Sequence, residues 1–280
     1  MPPVRGERSF RQCYSQPLAT ENVGVRQTLM NQVQRQGFPN LYQKDPSRDA
    51  FVIQLFHVHK SYPGGPDVFR DVNVQFQRGD FVFLMGIAGA GKTTFIRMLL
   101  GLEAVTRGYI VIEGRNLQRL PPREIPLLRR CMGVVFQDAR LLLSRSVADN
   151  VALPLRVAGR SSSFIRKKVA RALRFTGLEK KARAPCYHLC GEEQQLAAIA
   201  RALINDPAVL LADDLTGNLD EEASSRIMEL LKDVPKGGTT VIFATHDHRL
   251  PAQVRFARFM EIHAYGIEDL SRSREDPPDH

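Results

Sequence analysis

With 280 residues, 43% of them hydrophobic and 25% charged, the chain is long enough for one substantial core and has the balance of an ordinary globular protein. Lys and Arg number 39 against 30 Asp and Glu, a net +9 spread along the chain; it suits a nucleotide, an anionic membrane surface or nucleic acid and selects none of them. No apolar run approaches the ~20 residues of a membrane helix and no signal-like segment opens the chain, so a cytosolic protein is expected unless another protein tethers it.

Residues 1–50 are rich in Gln, Arg, Asn and Pro and read as a flexible polar N-terminal arm, with a short amphipathic helix possible over 23–36 on Val25, Leu29 and Val33. From Phe51 the texture changes. Residues 51–58 read as a strand, Tyr62-Pro63-Gly64-Gly65-Pro66 as a turn, and 68–76 as a second strand. A ring at Tyr62 is placed to stack on a purine, although a plain turn tyrosine fits the same residues.

Next comes Phe81-Val82-Phe83-Leu84-Met85, then Gly86-Ile87-Ala88-Gly89-Ala90-Gly91-Lys92-Thr93-Thr94, then a helical run from Phe95 to Leu100. This is strand, phosphate loop, helix. The glycines let successive N–H groups converge on one phosphate chain, and the helix beginning near Lys92 adds its positive dipole end. Lys92 is then within reach of the β- and γ-phosphates, and the Thr93 hydroxyl of Mg²⁺.

Two further β-rich runs follow, 109–112 and 131–136, the second ending at Gln137, whose amide can orient a water or ligate Mg²⁺ at a strand's C-terminal edge. Residues 138–190 lose strand character and read as a helical insert with a basic outer surface. Four cysteines, Cys13, Cys131, Cys186 and Cys190, are too scattered for a disulfide framework. The stretch from Cys186 to Cys190 looks like half a zinc site, but without a second pair it reads as reduced structural thiols. A helix over 192–204 runs into Ala208-Val209-Leu210-Leu211-Ala212-Asp213, a buried strand ending in a carboxylate, the usual way to set a charge beside a nucleotide's Mg²⁺. A loop, a helix over 221–232 and a strand over 239–244 lead to His246, and residues 263–280 read as a disordered tail.

In this order, the phosphate loop, strand-end Gln137, Gly191-containing turn, strand-end Asp213 and strand-end His246 resemble the ATP-binding subunit of ABC transporters over about residues 51–262. The peptides Tyr62-Pro63-Gly64-Gly65, Val135-Phe136-Gln137-Asp138, Asp149-Asn150-Val151-Ala152-Leu153-Pro154-Leu155 and Thr216-Gly217-Asn218-Leu219-Asp220 are similar to its FtsE cell-division branch. The resemblance implies an α/β P-loop NTPase core with an antiparallel β part and a helical subdomain at about 138–190. It implies a head-to-tail dimer holding ATP and Mg²⁺, peripheral on the cytoplasmic face of the inner membrane, with an FtsX-like polytopic membrane protein as partner and no nucleic acid. By the same resemblance, Tyr62 stacks on adenine, Gly86 to Thr94 cradle the phosphates, and Gln137, with Thr93 and Asp213, meets Mg²⁺. Asp214 takes the catalytic-base position and His246 contacts the γ-phosphate.

Two departures bear on turnover. The family's Leu-Ser-Gly-Gly signature stands here as Leu189-Cys190-Gly191-Glu192, which puts a carboxylate where bare backbone normally meets phosphate. At 4 Å, one such charge pair costs roughly 4 kcal/mol at an effective dielectric near 20. The usual Glu-Pro after the strand-end Asp is Asp214-Leu215, one methylene shorter. Two readings follow: an ATPase, slowed by Glu192 and Asp214, that drives a membrane partner in cell division, or an ATP-binding regulatory or structural subunit with largely lost hydrolysis.

Overall fold

The computed structural model describes residues 50–263 and 265–271. The expected arm over 1–50, except its last residue Ala50, its helix over 23–36 and residues 264 and 272–280 of the expected tail lie outside the described residues.

Strands β1 (Phe51–Ser61) and β2 (Asp67–Gln77) form an antiparallel hairpin, and β4 (Arg107–Ile112) pairs with the other edge of β1, followed by the short β5 (Arg115–Asn116). A second sheet has six strands in the order β10, β9, β3, β8, β7, β6. Its members are β3 (Phe81–Met85), β6 (Met132–Val135), β7 (Val209–Asp213), β8 (Thr240–Ala244), β9 (Arg258–His263) and β10 (Gly266–Asp269). All neighbours but β10 and β9 run parallel. Strands covered on both faces read as continuous apolar runs rather than alternating ones, and β7 and β8 are buried at every position.

The helices are α1 (Lys92–Leu99), α2 (Ile125–Arg129), α3 (Val147–Val157), α4 (Ser162–Phe175), α5 (Gly191–Leu203) and α6 (Glu221–Lys232). Helix α1 buries Phe95, Ile96, Met98 and Leu99 in a core shared by both sheets, each side chain contributing roughly 1.5–3 kcal/mol. On the opposite face of the six-stranded sheet, Phe83 and Phe243 meet Ile227, Met228 and Leu231 of α6 and Ala198 and Ile199 of α5. A third core joins α3, α4 and α5 through Val151, Leu155, Val169, Leu173 and Ala197. Helices α3 and α4 begin where hydroxyls cap them: Ser146 accepts from the Asp149 N–H at 3.1 Å and Ser161 from the Phe164 N–H at 3.4 Å.

The chain remains ordered beyond the boundary expected at 262. β9 continues to His263 and β10 adds an antiparallel edge strand. Arg258 of β9 donates to Asp80 at 2.5 Å and to Asp269 at 2.7 Å, so Asp269, which falls in the stretch read as a disordered tail, instead belongs to a clamp. Helix α2 also carried no clear periodicity. Its Arg129 donates to the Leu100 and Gly101 carbonyls at 2.7 and 3.1 Å, satisfying the end of α1.

Helix α5 lies unusually close to the sheet. A Cβ at Gly133 of β6 would sit 2.5 Å from the Ala202 carbonyl oxygen of α5. Gly133→Ala should therefore push α5 away from β6 and destabilise the fold by about 1–3 kcal/mol, read as a lower urea midpoint.

Candidate nucleotide-binding site

Parallel pairing brings the functional strand ends to one edge. Leu84 of β3 stands opposite Ala244 of β8, Ala244 opposite Asp213 of β7, and Ala212 opposite Val135 of β6. The segments leaving these strands are the phosphate loop, His246, Asp214 and Gln137, which is the edge where open parallel sheets bind ligands.

The loop turns through left-handed backbone at Gly86 (φ 150°), Gly89 (φ 81°) and Gly91 (φ 108°). Gly91 is also pressed against the hairpin, where an added Cβ would lie 2.8 Å from Val68 Cγ1. Ala90 closes a turn onto the Ile87 carbonyl at 3.1 Å, with Ile87 and Ala88 exposed at the tip. Helix α1 starts at Lys92 with no acidic residue in its first turn, so its N–H groups and dipole are open to an anion. The Lys92 ammonium donates to the carbonyls of Gly86 at 2.6 Å and Ile87 at 2.9 Å. Burial pushes it below the usual lysine value, opposed by Asp214 and Asp213. Tyr62 reaches the same helix, its hydroxyl 3.3 Å from Thr94 Oγ1.

Asp213 closes β7, and the Thr93 hydroxyl donates to its Oδ1 at 3.3 Å. Burial raises its carboxyl above the ordinary carboxylate range; the Thr93 bond opposes this and the neighbouring Asp214 adds to it. Asp214 has left-handed backbone at φ 53°, held by its N–H donating to the Ala244 carbonyl at 2.9 Å. Its Oδ1 lies 3.1 Å from His246 Nδ1, at angles that do not make a hydrogen bond, so this buried oxygen has none among the described residues. Its other oxygen lies against Gly217, where a Cβ would come within 2.7 Å. Two carboxylates thus face one ammonium, a charge balance that calls for a cation. One hydroxyl and two carboxylates are hard oxygen donors, which fits Mg²⁺.

Gln137 stands just beyond β6, exposed; its carbonyl accepts from Gln195 Nε2 of α5 at 2.6 Å. Cys190 caps α5 and is exposed, while Cys186 is buried and accepts from Asn150 at 3.2 Å. Gly191 abuts Leu219, its virtual Cβ 3.6 Å from Leu219 Cδ2. Asp220 caps α6, accepting from the Ala223 N–H at 2.8 Å.

The Glu192 carboxylate is engaged by a neighbouring helix. It does not stand bare at the phosphate face: Arg226 of α6 donates Nε and Nη2 to its two oxygens, both at 2.7 Å. Glu193 beside it pairs with Lys181 and accepts from the Cys190 N–H at 3.2 Å, and the Lys181 bond holds its carboxyl below the usual value.

Tyr62, the loop from Gly86 to Thr94, Asp213, Asp214 and His246 therefore gather at one sheet edge. The hydrogen bonds of Cys190, Gly191 and Glu192 run within α5 and to Arg226 instead, with none to the phosphate loop among the described residues. Two neighbours escaped the sequence reading. Arg226 had only its spacing of four from Glu222 as a signal. Lys60, 6% exposed, had none; it pairs with Glu103 at 3.1 Å and sits 4.5 Å from the Tyr62 ring centre.

Residues 69–217 match the family model described as ABC transporter. The chain is 45% identical over 199 residues to the cell division ATP-binding protein FtsE of Escherichia coli K12, covering 71% of this chain and 90% of that protein. It is 45% identical over 205 residues to FtsE of Mycobacterium tuberculosis, covering 73% and 89%. Among solved structures, a dimeric ATP-binding cassette in a post-hydrolysis state, bound to ADP and Pi, shares 32% identity at a TM-score of 0.69, covering 78% of this chain and 98% of the other. Sequence, fold and site geometry converge: the chain belongs to the ABC transporter family.

Proposed function

We propose that this chain is the ATP-binding subunit of a cell-division complex, with residues 51–262 as the ATP-binding domain and an FtsX-like polytopic membrane protein as partner. The names of its FtsE relatives support the cell-division part, and the related cassette bound to ADP and Pi supports the nucleotide. The observation that carries the reading is the Lys92 ammonium, held by the Gly86 and Ile87 carbonyls at an unopposed helix N-terminus. An ammonium has three donors, so two backbone bonds leave one for a phosphate oxygen.

In this reading Tyr62 stacks on adenine and the backbone from Gly86 to Thr94 cradles the phosphates. Thr93 and Asp213 hold Mg²⁺, with Gln137 beside them and in touch with the membrane partner. Bound Mg²⁺ offsets phosphate charge. Asp214 orients the attacking water and accepts its proton, and His246 contacts the γ-phosphate. The subunit acts as a homodimer in which Cys190, Gly191 and Glu192 of one copy cover the γ-phosphate held by the other, with Asn218, Leu219 and Asp220 along the contact; related cassettes are dimeric. No helix of the described residues is long and apolar enough to cross a membrane. In this reading the partner holds the subunit at the cytoplasmic face of the cell membrane.

One observation favours a second reading, an ATP-binding regulatory or structural subunit with little hydrolysis. The Asp214 carboxylate is short and folded between His246 and Gly217, which leaves an attacking water without its partner. Misplacement of about 1 Å costs on the order of a hundredfold in rate.

Purified protein should release phosphate from Mg-ATP, and Lys92→Ala should abolish both release and nucleotide binding; binding without release selects the second reading, and no binding rejects both. Asp214→Glu should raise turnover by roughly ten- to a hundredfold, whereas an unchanged rate would clear Asp214 as the cause of slow hydrolysis. Asp213→Asn should raise the Mg²⁺ concentration needed for ATP binding about tenfold or more. The same change should raise the melting temperature of the nucleotide-free protein, because it removes a carboxylate that burial disfavours. Isolation of the chain from membranes should bring down a multi-pass protein identifiable by mass spectrometry.

A further inference from the structure

The Glu192–Arg226 fork joins two helices that have no other ion pair between them among the described residues. Glu192 sits in the first turn of α5, beside Cys190 and Gly191. Arg226 sits in the second turn of α6, the helix that Asp220 caps directly after the Asn218–Leu219 loop. Both carboxylate oxygens are taken in parallel bonds of 2.7 Å, and the Arg226 Nη1 holds Glu222 at 2.5 Å. The Glu192 side chain is 20% exposed and the Arg226 side chain 48%. A bidentate guanidinium fixes the direction of a carboxylate as well as its charge, which a lysine at the same place would not do.

We propose that Arg226 is a positioning residue for the nucleotide-bound dimer: it turns the Glu192 carboxylate away from the α5 N-terminus and cancels its charge, so that this helix end still accepts a phosphate. This rests on the reading above, in which α5 of one copy covers the γ-phosphate held by the other. Without the fork, the carboxylate is free to swing back over Cys190 and Gly191. It would then occupy the positive end of the helix in competition with the phosphate and repel it. The role of Arg226 exists only because Glu192 is present. The geometry also ties α5 to α6, so the two segments that meet the second copy move together.

A double-mutant cycle isolates this role. Full-length protein, Arg226→Ala, Glu192→Gly and the double variant are titrated with Mg-ATP and the dimer is followed by sedimentation. Nucleotide affinity of the monomer is measured in parallel at low protein concentration. Arg226→Ala should raise the ATP concentration for half-maximal dimer about tenfold, with monomer affinity unchanged to within about twofold. The double variant should dimerise like Glu192→Gly, because the loss on removing Arg226 requires the Glu192 carboxylate to be present. An equal loss on removing Arg226 in both backgrounds would make it a mere helix brace and overturn the proposal, as would no loss in either. If Arg226→Ala does not fold, Arg226→Gln, which keeps the stem without the charge, takes its place under the same criteria. A parent chain that binds ATP but never dimerises overturns the proposal alone; one that binds no ATP takes the functional reading with it.

Discussion

The site depends on a parallel register: β3, β8 and β7 lie side by side and end at the same height, which sets Lys92 against Asp213 and Asp214. None of these groups is satisfied by the others alone. Lys92 rests on two loop carbonyls, Asp213 on a single hydroxyl, and one oxygen of Asp214 on no hydrogen bond at all among the described residues. The apolar cores on both faces of the sheet hold these strand ends together against that electrostatic cost. Unpaired polar groups of this kind gather at the strand-end edge, where open parallel sheets bind ligands.

The phosphate loop was legible in the sequence because its chemistry is local: glycines, lysine and threonine act within nine consecutive residues. Asp213 was legible for a similar reason, as a charge at the end of a run with no other polar residue. The fate of Glu192 was not. Its partner is 34 positions away on another helix, and nothing in the pattern of α6 marks Arg226 as more than one side of an exposed pair with Glu222. Lys60 was hidden in the same way, since a buried lysine inside a strand only becomes intelligible once Glu103 and the Tyr62 ring are beside it. Local motifs can be read from spacing, whereas compensating charges need the tertiary structure.

The edge strand β10 carries a related lesson. Two of its four residues, Glu268 and Asp269, are charged, so composition argued for a solvated end, yet Ile267 packs on the core and Arg258 gathers Asp80 and Asp269. The candidate site groups sit at strand and helix ends and in the loops between them, and these are only as well placed as the frame that such clamps hold.

Strand β10 also closes one border of the six-stranded sheet. A parallel sheet that ended at β9 would present a row of unpaired backbone groups, a template for another strand. Here that border is covered by a short antiparallel strand bearing Glu268 and Asp269, with Glu268 Oε2 3.5 Å from Nε2 of His263 at the end of β9. Short, charged edges resist strand addition and the fibre-like growth it seeds. Strand addition at this border is therefore disfavoured.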